Sequence, residues 1–175
     1  MNRDINDRFV FRTIRREEAD IAAEMEQICF PPHEACPKEL MIQRVLRDPE
    51  MFIVAEEKET GKLCGLINGM PTDAEAFSDD SFTGFDLYKE DGRRMFLAGV
   101  EVLPEYRHQG LAQAMMEALA RREREKGRKQ LLLTCLEEKI TFYEQMGYID
   151  RGLSVSAGGK DTGHEMTMDL QEETC

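Results

Sequence analysis

Between residues 96 and 120 the apolar pattern changes period, and this change limits what the chain can fold into more than any other feature. Phe96–Leu103 is apolar enough for a strand, and Pro104 ends it because proline has no N–H for a ladder. The turn Pro104-Glu105-Tyr106-Arg107-His108-Gln109-Gly110 follows. Leu111, Ala114, Met115, Ala118 and Leu119 then fall on one helical face, and Gly127 is placed to cap the helix at its C-terminus. A strand delivering a glycine turn into a helix start makes an anion cradle. First-turn N–H groups lack intrahelical partners, and the helix dipole favours negative charge there. Gly110 and Ala112 keep side chains out of that cradle, and Arg107 adds a positive charge. The same string also serves as a plain strand-to-helix connection, so its context decides. A nucleotide P-loop is excluded, because the Gly-Lys-Ser/Thr ending is absent. A dinucleotide fingerprint is excluded as well, because two of its three glycines are missing.

The rest of the chain supplies that context. Val10–Ile14 reads as a strand, and Arg16–Ile28 as a helix with Ala19, Ala22, Ala23 and Ile28 on one face. Phe30-Pro31-Pro32 stops it, and a second helix spans Lys38–Arg47 between Pro37 and Asp48-Pro49. Met51–Glu56 and Leu63–Met70 are β-rich runs joined by a glycine-containing loop, the pattern of a hairpin. Asp73–Gly92 is an acidic loop carrying Phe77, Phe82, Phe85 and Tyr88, which is either a solvated connection with anchoring aromatics or a lid over a pocket. Gln130–Leu136 reads as a strand and Glu138–Gln145 as a short helix, with last strands over Tyr148–Leu153 and His164–Leu170. No repeat, linker or long charge block divides the chain, so one α+β domain over residues 1–175 is expected.

Composition narrows the function. A net charge of −12 argues against a nucleic-acid partner, since phosphate binding needs a basic footprint, and it suits a cationic amine. The longest apolar run falls well short of the roughly 20 residues that span a bilayer. The polar N-terminus has no signal-peptide core, so no membrane association and a cytoplasmic location are expected. The five cysteines (Cys29, Cys36, Cys64, Cys135 and Cys175) include no C-x-x-C spacing, so they are expected as reduced thiols, with no metal site.

Val102-Leu103-Pro104-Glu105-Tyr106-Arg107-His108-Gln109-Gly110-Leu111-Ala112 resembles motif A of the GNAT superfamily of N-acetyltransferases. Phe142-Tyr143-Glu144-Gln145-Met146-Gly147-Tyr148 resembles their motif B. The chain also resembles bacterial relatives of arylalkylamine (serotonin) N-acetyltransferase. The residues carrying that likeness are Phe11-Arg12-Thr13, Glu18-Ala19, Cys29-Phe30, Cys36-Pro37, the motif A segment, Phe142-Tyr143 and Glu165-Met166. The resemblance implies a GNAT fold, a twisted mixed β-sheet splayed at its centre with helices on both faces. It implies acetyl-CoA as cosubstrate, direct transfer of the acetyl group to a primary amine in a ternary complex, and a small-molecule acceptor. A homodimer is compatible with it. Rival functions are acetylation of a protein N-terminus or lysine, and acetyl-CoA binding without catalysis.

By the same resemblance, the backbones of Val100, Glu101 and Val102 bind the pantetheine arm. Arg107, His108, Gln109, Gly110, Leu111, Ala112 and Gln113 surround the pyrophosphate. Tyr143 is the general acid for the departing thiolate, or else an aromatic packed on the cofactor. Phe30, Pro37, Phe96 and Ala98 hold substrate-binding positions. Phe96 and Ala98 stand where the serotonin enzyme has two histidines that help remove the amine proton, so that relay is missing. Glu101 lies on the same strand, but alternation points it to the opposite face from Phe96 and Ala98. The sequence therefore names no general base. His33 and His164 are the histidines left outside the loop.

Overall fold

The computed structural model describes residues 3–75, 85–153 and 163–171. The centre of the acidic loop, with Phe77 and Phe82, lies outside them, as does Cys175. The elements run α1 (Arg3–Arg8), β1 (Phe9–Thr13), α2 (Ala19–Cys29), α3 (Lys38–Arg47), β2 (Phe52–Glu57), β3 (Leu63–Thr72) and β4 (Arg94–Val102). They continue with α4 (Leu111–Glu125), β5 (Gln130–Cys135), α5 (Ile140–Glu144), β6 (Ile149–Leu153) and β7 (His164–Asp169). The strands follow the order β1-β2-β3-β4-β5-β7-β6. The β4–β5 pair is parallel, whereas β1–β2, β2–β3, β5–β7 and β6–β7 are antiparallel, so the sheet is mixed and the α+β expectation holds. Helix α1 is the element that sequence periodicity did not suggest: its six residues are too few and too polar to show an apolar stripe.

By packing, the chain gathers into two compact units. One comprises Met1–Asn68 and Gly99–Leu119, the other Gly69–Ala98 and Ala120–Cys175. In the first, β2 places Phe52, Ile53, Val54 and Ala55 in the core, and the β2–β3 hairpin closes through Glu57 N–H to the Lys62 carbonyl at 2.8 Å. Helix α2 buries Ala19, Ala22, Ala23 and Met25, and α3 buries Met41 and Val45. Two charged residues join these buried faces. Glu26 of α2 is 6 % exposed, and Arg44 of α3 is 1 % exposed and donates to Asn68 Oδ1 at 3.2 Å.

In the second unit, β5 pairs with β7 over its full length, from Gln130↔Asp169 to Cys135↔His164. The end of α4 is fixed by backbone and charge together. Gly127 takes a left-handed φ of 88°, its N–H reaches the Arg124 carbonyl at 3.0 Å, and Arg128 N–H reaches the Glu123 carbonyl at 3.0 Å. This pair of bonds is the Schellman closure, which satisfies carbonyls that the last turn leaves open. The Glu123 carboxylate, fully buried, binds Arg128 through Nε at 3.0 Å and Nη2 at 2.8 Å, Arg122 at 3.1 Å and Lys126 at 3.4 Å. Arg128 also donates to the carbonyls of Gly92 at 2.6 Å and Glu90 at 3.1 Å, tying the end of the acidic loop to the helix terminus.

Removing one partner of a buried ion pair strands the other charge, which typically costs about 3–5 kcal/mol. Glu123→Ala is therefore expected to lower the urea-unfolding free energy by about that amount, whereas Glu123→Gln keeps an acceptor for Arg128 and loses less. A loss of under about 1 kcal/mol in Glu123→Ala shows that the cluster is dispensable.

Candidate functional site

The turn after β4 has an unusual backbone. His108 has φ 63° and Gly110 has φ 84°, so two of three consecutive residues are left-handed. For a residue with a Cβ that conformation costs on the order of 1 kcal/mol, and such strain concentrates where a ligand or a tight turn demands it. The turn leads straight into α4. Ala114 N–H bonds the Gly110 carbonyl at 3.1 Å, so the N–H groups of Leu111, Ala112 and Gln113 precede the first intrahelical bond. Arg107, His108, Gln109, Gly110 and Gln113 are exposed and Ala112 is half-buried, whereas Leu111 turns into the core at 2 % exposure. Fifteen residues of α4 stand behind this terminus, enough for a full helix dipole.

Two features of this turn were not legible in sequence. The guanidinium of Arg107 turns back onto the strand, where Nε donates to the Val102 carbonyl at 2.9 Å. Cys29 Sγ lies 3.6 Å from the same carbonyl, so its lone pairs are already engaged. From the other side, α1 approaches the turn: Arg8 Nη1 donates to Gln109 Oε1 at 3.0 Å. A Cβ on Gly110 would come within 3.3 Å of Ile5 Cδ1. Arg8 thus stands beside the turn, while a side chain at Gly110 would press on the tip of Ile5.

The last residues of β4 lie in the same unit. Val100 and Val102 are half-buried, whereas Glu101 is 1 % exposed. Its side chain shares a face with Gly99, and a Cβ on Gly99 would sit 3.5 Å from Glu101 Oε1 and 3.6 Å from the Phe30 ring. Phe30, the residue that terminates α2, therefore lies beside Gly99 and Glu101. Strand alternation puts that face opposite the one carrying Phe96 and Ala98. Pro37 is an exposed residue at the start of α3, where its carbonyl accepts from Leu40 and Met41.

Glu26 completes this group and had no place in the sequence analysis. Its carboxyl lies close enough to raise the proton affinity of Glu101, and its Oε1 accepts from Cys36 N–H at 3.2 Å. Burial, followed by the proximity of Glu26, Cys29 and Cys36, pushes the Glu101 carboxyl far above the usual carboxylate range. The signal that might have found Glu26 was its position. Ala19, Ala22, Ala23 and Glu26 follow the spacing of one helical stripe, so a carboxylate occupies an apolar position of α2.

In the other unit, Tyr143 lies on α5, its ring 5.1 Å from Phe142 and 5.9 Å from Tyr148, both edge-on. Burial, then the nearby Cys135, pushes the Tyr143 hydroxyl up to about 12. Phe96 is 1 % exposed and packs on Leu132 with Ala74, a core position, and Ala98 is half-buried. The parallel ladder of β4 with β5 covers Arg94↔Gln130, Met95↔Leu131 and Phe96↔Leu132, while β5 itself continues to Cys135. Of the two remaining histidines, His33 is exposed beside Glu34, and His164 Nδ1 lies 3.1 Å from Asp150 Oδ1. Among the described residues, no three His, Cys, Asp or Glu side chains gather to hold a metal ion, and no helix is long and apolar enough to cross a membrane.

The chain is similar in fold to several solved structures. The loading GNATL domain of CurA from Lyngbya majuscula superposes with a TM-score of 0.78 at 16% identity, over 93% of this chain and 98% of that one. The GNAT-like decarboxylase GphF, solved with isobutyryl-CoA, gives 0.76 at 16% identity, over 93% and 100%. The putative acetyltransferase yncA from Salmonella typhimurium, solved with its cofactor acetyl-CoA, gives 0.67 at 14% identity, over 95% and 96%. No curated protein sequence matches the chain. The model of the acetyltransferase (GNAT) family matches residues 19–148. That match spans well over half of the chain and takes in the β4–α4 turn, Glu101 and Tyr143, and the chain accordingly belongs to the acetyltransferase (GNAT) family.

Proposed function

We propose that the protein transfers the acetyl group of acetyl-CoA to a primary amine, a small cationic molecule, by direct attack in a ternary complex. The observation that carries this reading is the Arg107–Gln113 turn. N–H groups ahead of the first intrahelical bond, two left-handed residues and the positive end of a long helix meet there with no side chain at Gly110. This is a fit for a pyrophosphate: anionic oxygens need convergent donors and a backbone they can approach closely. The backbones of Val100 and Glu101 would hold the pantetheine arm. Arg107, bonded to the Val102 carbonyl, would brace the strand end and leave the anion to the main-chain donors.

Acetyl-CoA supplies the thioester, and the chain supplies position, desolvation and protons. Burial keeps the Tyr143 hydroxyl protonated across the neutral range, so it has a proton to offer a developing thiolate. With its affinity raised to about 12 it gives that proton up late, and hydrogen-bond donation in the transition state is its main contribution. The acidic net charge of −12 favours a cationic acceptor over an anionic one. The same fold also supports a GNAT-like decarboxylase, so the reaction is argued from these residues and not from the fold.

Gly110→Asp places a side chain and a negative charge in the cradle, at a φ that disfavours any Cβ. Calorimetry is expected to detect no acetyl-CoA binding by the folded variant. Unchanged affinity removes the pyrophosphate assignment. Tyr143→Phe deletes one hydroxyl and leaves the ring packing intact. Turnover is expected to fall at least about tenfold with little change in acetyl-CoA affinity, since the lost interaction belongs to the transition state. Equal turnover, measured where chemistry limits the rate, leaves Tyr143 a packing residue.

A further inference from the structure

The cation that the turn carries in its own sequence is committed elsewhere. Arg107 Nε donates to the Val102 carbonyl at 2.9 Å, which draws the guanidinium back along the strand. The main-chain donors of the turn therefore work against the field of a chain with a net charge of −12, which repels an anionic cofactor. A second cation reaches the turn from far away in sequence. Arg8, 101 residues before Gln109, donates from Nη1 to Gln109 Oε1 at 3.0 Å.

Arg8 is held in place from several sides. Its carbonyl accepts from Lys58 N–H at 2.8 Å, which fixes the backbone where α1 gives way to β1. Its guanidinium carbon lies 5.0 Å from the centroid of the Phe9 ring, a cation–π contact with a side chain that is itself buried. Phe9 packs edge-on against Tyr106 at 6.1 Å, and Tyr106 directly precedes Arg107. The platform under Arg8 and the entry to the turn are thus one packed piece. Arg8 is exposed, as are Gln109 and Gly110, so its planar fork of donors keeps N–H groups for a further acceptor.

Two places beside Arg8 differ in what they suit. Helix α1 and the β2–β3 hairpin enclose a hollow of about 280 Å³ lined by Asp7, Arg8, Glu57, Lys58 and Glu59. Three carboxylates against two cations make that hollow a poor seat for an anion. The turn from Arg107 to Gln113 contains no carboxylate, so an anionic partner for Arg8 belongs on the turn side.

We propose that Arg8 is a cofactor-binding residue, giving charge-assisted hydrogen bonds to a phosphate of acetyl-CoA seated on the Arg107–Gln113 turn. This rests on the acetyl-CoA reading above and adds to it a ligand contact from α1, an element that the sequence did not reveal. Gln109 Oε1 is a neutral acceptor that keeps the guanidinium at the turn, and a phosphate oxygen, being charged, is the stronger acceptor for the same donors. A guanidinium fork matches two phosphate oxygens at once, which an ammonium group cannot do. Acetyl-CoA offers two such partners, its pyrophosphate and its ribose 3′-phosphate, and the chemistry of recognition is the same for both.

Arg8→Gln removes the charge and the fork at an exposed position, so the variant is expected to fold with an unchanged urea midpoint. By calorimetry its Kd for acetyl-CoA should rise about tenfold or more, with Arg8→Lys falling between the two. Wild-type Kd should also rise more steeply with sodium chloride than that of Arg8→Gln, because a charge pair at an exposed site is screened. Arg16→Gln takes the same charge from the 3₁₀ turn ahead of α2 and should leave Kd within about twofold. With 3′-dephospho acetyl-CoA, a loss in Arg8→Gln as large as for acetyl-CoA names the pyrophosphate as partner. Equal binding of that analogue by wild type and variant names the 3′-phosphate, and either result supports Arg8 as a ligand. A folded Arg8→Gln with wild-type Kd and salt dependence overturns the assignment and leaves the acetyl-CoA reading standing. Tighter binding by Arg8→Gln overturns it equally, because α1 would then obstruct the turn. Wild type that binds no acetyl-CoA overturns both.

Discussion

Strand β4 keeps its ladder to β5 over only three residue pairs, and much of the candidate site follows from that. Its parallel ladder to β5 stops at Phe96↔Leu132, although both strands continue. Backbone N–H and C=O groups beyond a ladder must find other partners or be left for a ligand. At the far end of β4 the structure supplies some of these: Leu103 N–H reaches the Cys64 carbonyl at 2.9 Å, and Arg107 and Cys29 converge on the Val102 carbonyl. Pro104 then ends the strand, and two left-handed residues turn the chain into α4. Strand end, turn and helix start are one continuous piece of backbone, so a change at any of them is felt by the others.

The charged groups in the interior fall into two kinds. Glu123 has three cations around it, and its Arg128 partner is itself bonded to two carbonyls. Such a closed set specifies how a helix end and a loop end meet. Glu101 is the opposite case, deeply buried beside another acid and short of donors. Complete satisfaction marks a structural device, whereas the Glu101 oxygens keep no protein donor at high burial. Both carboxylates sit in elements that read as ordinary amphipathic segments, and only their partners distinguish them.

Legibility in the sequence followed the strength of the local signal. Helix α3 has the expected bounds, Lys38–Arg47, because prolines punctuate both ends. Gly127 caps α4 as its position suggested. Strand β4 begins at Arg94, two residues before its apolar run. Arg94 is held there by a cross-strand bond from its Nε to Gln130 Oε1 at 3.1 Å, which no hydrophobic pattern reports. The expected helix over Arg16–Ile28 opens with a 3₁₀ turn at Arg16–Glu18 and becomes α-helical from Ala19. Phe30 and Phe96, grouped as substrate-binding in sequence, differ in kind: one ring meets Gly99 beside Glu101, and the other packs on Leu132.

By itself, the sequence determined the elements, the mixed α+β class and the glycine turn before α4, because these depend on interactions among near neighbours: apolar period, missing proline N–H groups and glycine's access to positive φ. It also placed Glu101 on the strand face away from Phe96 and Ala98, since alternation is a property of the strand alone. Only the tertiary structure decided what that face holds. Glu26 is 75 residues from Glu101, and nothing local to either position records that α2 turns one carboxylate toward another. Proton affinity, hydrogen-bond satisfaction and burial are set by groups brought together from distant segments, and so the chemistry of the pair could be read only once the chain was folded.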